Sequence, residues 1–134
     1  MKVYLAKFTL NNKVMYKIGH TKYFNSITRF EKDEYDVFDN VEILDDIYVE
    51  HKDAIVARQM SKLVEACLQA YFPKDFRLEE YFQTEEKFFD GLSGITECFI
   101  LNNQTEESLL EVFRRVKREV GYIINEYKSN KWHY

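Results

Sequence analysis

Tyr4, Gly19, Arg29 and Glu65 are the residues whose types and spacing could do chemistry together. An arginine can bind an anion, and a carboxylate can hold a metal ion or pair with the arginine. These residues act together only if the chain brings them to one place. Two apolar-alternating runs, Lys2 to Leu10 and Val14 to Ile18, are joined by Asn11-Asn12, a pair that tolerates the positive φ of a tight turn, and so form a β-hairpin. Gly19 ends the second strand where a side chain would obstruct a turn or an approaching ligand. The polar segment Thr21 to Ser26 leads into a short helix over Asn25 to Lys32, which can hold Arg29 over the sheet face that carries Tyr4.

Further along, Val41 to Val49 is a strand with Val41, Ile43, Ile47 and Val49 expected on one face. Asp45-Asp46 interrupts the other face, the mark of an edge, a bulge or a strand leading into solvent. From Asp53 to Phe72 the apolar residues Ile55, Val56, Met60, Leu63, Val64, Cys67, Leu68 and Tyr71 recur at helical spacing, and Pro73 stops the helix. Glu65 shares a face of it with Ala57, Ser61, Leu68 and Phe72, so its carboxylate points along a small, apolar side and needs a partner. The aromatic and acidic stretch 76–92 reads as a short helix or two packed across the end of the core. Ile95 to Leu101 reads as a strand, and Thr105-Glu106-Glu107 caps a final helix running to Tyr127. The elements add up to one α+β domain over residues 1–134: a small, mostly antiparallel sheet, the N-terminal hairpin plus two further strands, flanked by three main helices.

With 46% hydrophobic and 16% aromatic residues against four glycines and one proline, the chain of 134 residues can bury a single core. The longest apolar run falls far short of the roughly 20 residues needed to cross a bilayer, so no membrane partner and a cytoplasmic location are expected. Cys67 and Cys98 lack C-x-x-C spacing and are expected as buried thiols. A net charge of −4 gives no overall attraction for nucleic acid, and leaves room for an enzyme that meets phosphate through a local patch of lysine and arginine.

The order Val3-Tyr4-Leu5, then Lys17-Ile18-Gly19-His20-Thr21, then Arg29, resembles the GIY-YIG nuclease superfamily, in the branch whose second motif reads Lys-Ile-Gly-x-Thr and which is common in phage and bacterial proteins. Val64 to Phe72 is similar to that branch's Leu-Glu-x-x-Leu/His-x-x-Phe helix, and Thr96 to Leu101 to its closing Glu-Trp-Phe strand. The resemblance implies a GIY-YIG-like fold, with 76–92 as an insertion, and a metal-dependent endonuclease acting on DNA in a bacterial or phage-infected cell. It implies that Tyr4 takes a proton from the attacking water, that Arg29 binds phosphate, and that Glu65 holds one Mg²⁺ or Mn²⁺ with water as its other ligands. Lys17 stands where the superfamily's second tyrosine usually stands, as it does in this branch, and His20 or Tyr35 is then a candidate for the missing proton-transfer group.

The same residues admit plainer roles. Tyr4 fits a core tyrosine, Arg29 and Glu65 fit a structural ion pair, and His51 fits a surface or capping residue at the start of the long helix. Arg114-Arg115-Val116-Lys117-Arg118 fits a solvated helix face answering Glu107 and Glu111 as well as a phosphate patch. The alternative function is a catalytically inactive GIY-YIG-like module that binds nucleic acid or a protein partner, as in phage–host conflict. If the enzyme is the right reading, Tyr4, Lys17, Arg29 and Glu65 are expected to line one solvent-reachable concavity on the sheet.

Overall fold

The computed structural model describes residues 1–22, 25–31, 35–71, 98–101 and 103–129, the last with side chains as far as 122. Strands β1 (Lys2–Leu10) and β2 (Lys13–Thr21) form the hairpin. Asn11 and Asn12 both have positive φ, 52° and 64°, the twist that lets a two-residue loop close a hairpin without splaying its strands. A 3₁₀ helix, Ser26–Phe30, follows, its first turn capped by the Asn25 side chain, which accepts from the Ile27 N–H. Then come β3 (Asn40–Tyr48), α1 (Ala54–Gln69), β4 (Cys98–Phe99) and α2 (Glu106–Ser129). The sheet has the order β3-β1-β2-β4 with every pairing antiparallel.

The molecule is therefore α+β with a small four-stranded antiparallel sheet and two α-helices among the described residues. The expected short helix at Asn25 to Lys32 is a 3₁₀ helix, and the stretch 76–92, with any helix it holds, lies outside the described residues.

Strand alternation sorts the core into two layers. Tyr4, Ala6, Phe8, Met15 and Cys98 meet Phe30, Tyr35 and Phe38 on one side, the 3₁₀ face. Val3, Leu5, Tyr16, Ile18, Ile47, Val49 and Phe99 meet Leu68 of α1 and Leu109, Phe113 and Val116 of α2 on the other, the helical face. Edge-to-face ring pairs knit the first layer, with Phe30 5.2 Å from both Tyr4 and Phe8 and 4.9 Å from Tyr35.

β3 is the edge strand that Asp45-Asp46 foreshadows, and a bulge sits there too. Leu5 pairs with Asp45 while Ala6 pairs with Ile43, so Leu44 is the extra residue. The bulge corrects one expectation. Val41 and Ile43 pack on the 3₁₀ face while Ile47 and Val49 pack on the helical face, because one inserted residue inverts the period of two. As neighbours on a strand, the two aspartates face opposite ways. Asp46 accepts from the Ser26 hydroxyl at 3.0 Å, whereas Asp45 takes Lys117 of α2 at 2.8 Å and Arg114 at 3.5 Å. That part of the basic run is thus committed to the sheet rather than to Glu107 and Glu111.

A second correction concerns the thiols. Cys98 is buried as expected, but Cys67 is exposed. The stripe of α1 that meets the sheet is Ala57, Ser61, Glu65 and Leu68, and Cys67 sits about 100° around the helix from Leu68.

Candidate active site

The side of α1 turned to the sheet carries a polar group at its centre. Glu65, 6% exposed, lies over β2 and engages His20, whose Nδ1–H donates to Oε2. The Gln69 Nε2 amide donates to the other carboxylate oxygen at 3.0 Å and to the backbone carbonyl of Ile18, also at 3.0 Å. The partner that a carboxylate in this position requires is therefore an imidazole and an amide. A carboxylate behind Nδ1 fixes the proton there and leaves Nε2 as the basic nitrogen, the arrangement by which many proteins ready a histidine to take a proton from water.

His20 also faces a cleft. Its lining is Met1, His20, Thr21, Lys22, Arg29, Ala54 and Arg58, with a volume of about 620 Å³. Among the described residues, three side chains of fixed positive charge line it and no carboxylate does, a local reversal of sign in a chain of net charge −4. The cleft lies where β2 ends at Thr21, so it draws on Arg29 from the 3₁₀ helix and on Arg58 from the first turns of α1.

Tyr4 and Lys17 are placed differently. Both point into the 3₁₀ face, where they are 1% and 3% exposed. The Lys17 ammonium lies 5.7 Å from the centre of the Tyr4 ring and 5.6 Å from that of Phe30, within reach of a cation–π attraction. The Arg29 guanidinium spans the two regions, 5.9 Å from the Phe30 ring and 5.8 Å from the Tyr35 ring while lining the cleft. Tyr35 itself is 3% exposed in the aromatic layer.

The expected single concavity is thus divided. His20 and Arg29 share the cleft, with Glu65 behind His20, whereas Tyr4 and Lys17 are sealed into the aromatic layer. The sheet itself divides it: Tyr4 and Lys17 turn to the 3₁₀ face, whereas α1, which carries Glu65, packs on the other face, where His20 turns because it is three residues from Lys17 on one strand. His51 caps, its Nδ1 accepting the Asp53 N–H at 2.9 Å just ahead of α1.

Comparison of the chain with protein-family models, with curated proteins and with solved structures found no match.

Glu65 is the one residue expected to hold a divalent ion. One of its oxygens is taken by the His20 N–H and the other by the Gln69 amide, its side chain is 8% exposed, and no three His, Cys, Asp or Glu side chains come together among the described residues. A hard dication needs a carboxylate oxygen open to it and to its waters. As placed, these residues do not fit one.

Lys22, Arg58 and Gln69 belong to the site and were not singled out from the sequence. The signal for two of them is helical spacing, since Ala54, Arg58, Ser61 and Glu65 follow one another at four, three and four residues and Gln69 comes four after Glu65.

Proposed function

We propose that the protein hydrolyses DNA phosphodiester bonds, as an endonuclease, at the cleft beyond the end of β2. The observation that carries this reading is a carboxylate-braced imidazole, His20 on Glu65, opening on a cleft lined by Lys22, Arg29 and Arg58. In it the cations hold the phosphate and offset the charge that grows on its oxygens, and His20 Nε2 takes the proton from the attacking water. Tyr4 then serves the aromatic layer, edge-to-face against Phe30, rather than the proton transfer. The Mg²⁺ or Mn²⁺ that the resemblance implies enters no step here.

The test is incubation of the purified chain with supercoiled, linear and single-stranded DNA, with and without Mg²⁺ or Mn²⁺. Cleavage that disappears in both Arg29→Ala and His20→Ala is the expected result. No cleavage of any substrate, or cleavage that survives both substitutions, would remove the claim.

One observation favours a second reading, a non-catalytic module that binds nucleic acid or a protein partner: Tyr4 and Lys17, two of the five expected site residues, are shut away from solvent. Oligonucleotide binding that needs Arg29, unaccompanied by cleavage under any metal condition, would select it.

A further inference from the structure

Four residues on the helical face form a square. Ile18 and His20 are two apart on β2, which places them on one side of the strand roughly 6.6 Å apart, and Glu65 and Gln69 are four apart on α1, roughly 6 Å along the helix. The two spacings match closely enough for each helical residue to sit over one strand residue. Glu65 meets the His20 ring and Gln69 meets the Ile18 carbonyl. The fourth side is closed by Gln69 on Glu65.

The identity of the Gln69 nitrogen is settled by its partners. The Ile18 carbonyl and the Glu65 carboxylate only accept, so the amide turned toward them must be the NH₂ end, and its two hydrogens suffice for one bond to each at 3.0 Å. A carboxylate with one oxygen held in this way has little freedom to rotate. Its second oxygen therefore stays on His20 Nδ1.

We propose that Gln69 is a positioning residue: by clamping Glu65 to the β2 backbone it fixes His20 as the Nδ1–H tautomer, with Nε2 basic and directed to the cleft. The proposal rests on the reading of His20 as the proton acceptor, but its central claim concerns the imidazole and can be judged without turnover.

The experiment is heteronuclear NMR of the His20 ring nitrogens in the wild type, Gln69→Leu and Gln69→Glu. Leucine keeps the bulk of the side chain and removes both hydrogen bonds, whereas glutamate keeps the shape and sets a carboxylate against Glu65 and a carbonyl. The wild type is expected to show one tautomer with the proton on Nδ1, and both variants a mixture of tautomers or rapid exchange. In parallel, kcat on a short DNA should fall by about tenfold or more, as it does when a partner that orients a functional histidine is lost, while KM changes little.

A His20 ring that keeps the wild-type tautomer in folded Gln69→Leu would overturn the proposal, and so would a wild-type ring protonated on Nε2. Should Gln69→Leu not fold, Gln69→Glu and the wild-type spectrum still decide. A wild type that shows the Nδ1–H tautomer but cleaves no DNA would sink the nuclease reading and leave the role of Gln69 standing.

Discussion

The Tyr4 hydroxyl lies so close over Gly19 that a Cβ on Gly19 would stand 2.6 Å from its oxygen and 2.9 Å from its Cζ. The two residues are directly opposed in the hairpin, so the ring passes across the glycine on the 3₁₀ face. Gly19 is therefore fixed by the tyrosine rather than by a turn, and what approaches it is part of the chain.

Gly19→Ala should cost about 1–3 kcal/mol, the usual penalty for forcing a methyl into a packed layer, read as a lower midpoint in urea unfolding. Tyr4→Phe removes the nearest atom, so Gly19→Ala should be less damaging in a Tyr4→Phe background. Equal losses in both backgrounds would show that the hydroxyl is not what demands glycine.

The cleft's cations should be visible in salt dependence. A lysine or arginine that neutralises a phosphate adds roughly one unit to the slope of log affinity against log salt, so Lys22→Ala and Arg58→Ala should each reduce that slope for a short DNA by about one. Fluorescence anisotropy across a salt series measures it. Unchanged slopes in both variants would place the phosphate elsewhere.

His20 and Glu65 should behave as one unit. His20→Ala should lower the cleavage rate by about 10²–10⁴-fold, the contribution typical of a general base, and adding Glu65→Gln should lower it little further. Glu65→Gln alone should also cost about 1–3 kcal/mol of stability, since it disturbs buried hydrogen bonds to His20 and Gln69. Additive losses in the double variant would mean that the two residues work separately.

Glu106, at the start of α2, binds the Lys7 ammonium at 2.7 Å and the Tyr16 hydroxyl at 2.9 Å. The hydrogen bond from Lys7 is the main cause that holds its carboxyl below the ordinary value of 4.5, with Tyr16 and the Lys7 charge acting in the same direction and partial burial opposing them. A carboxylate whose value is depressed in the folded state stabilises the fold above the unfolded value, and that stability is lost as pH falls through the folded value. Glu106→Gln should therefore flatten the acid side of the stability profile, leaving its shape near neutrality alone. Urea midpoints measured from neutral to acid pH test this, and an acid limb of unchanged steepness would assign the loss to other groups.

Much of the fold was legible because local chemistry decides it. The Asn11-Asn12 hairpin, the α1 helix beginning after Asp53, the edge and bulge at Asp45-Asp46, and Glu65 on the Ala57, Ser61 and Leu68 side of α1 all follow from turn residues, capping and period. Which groups meet was decided by tertiary structure. Sequence spacing says that Lys17 and His20 face opposite ways, but only the packing shows that the Lys17 side is closed by Phe30 while His20 opens on the cleft. The pairing of Glu65 with His20 instead of Arg29 depends on how α1 lies over β2, across 45 residues of chain. The Leu44 bulge likewise reverses the later half of β3, since one extra residue matters only against a partner strand. A linear pattern fixes which side of its own element a residue takes. The opposing surface that then receives it is set by contacts between elements far apart in the chain.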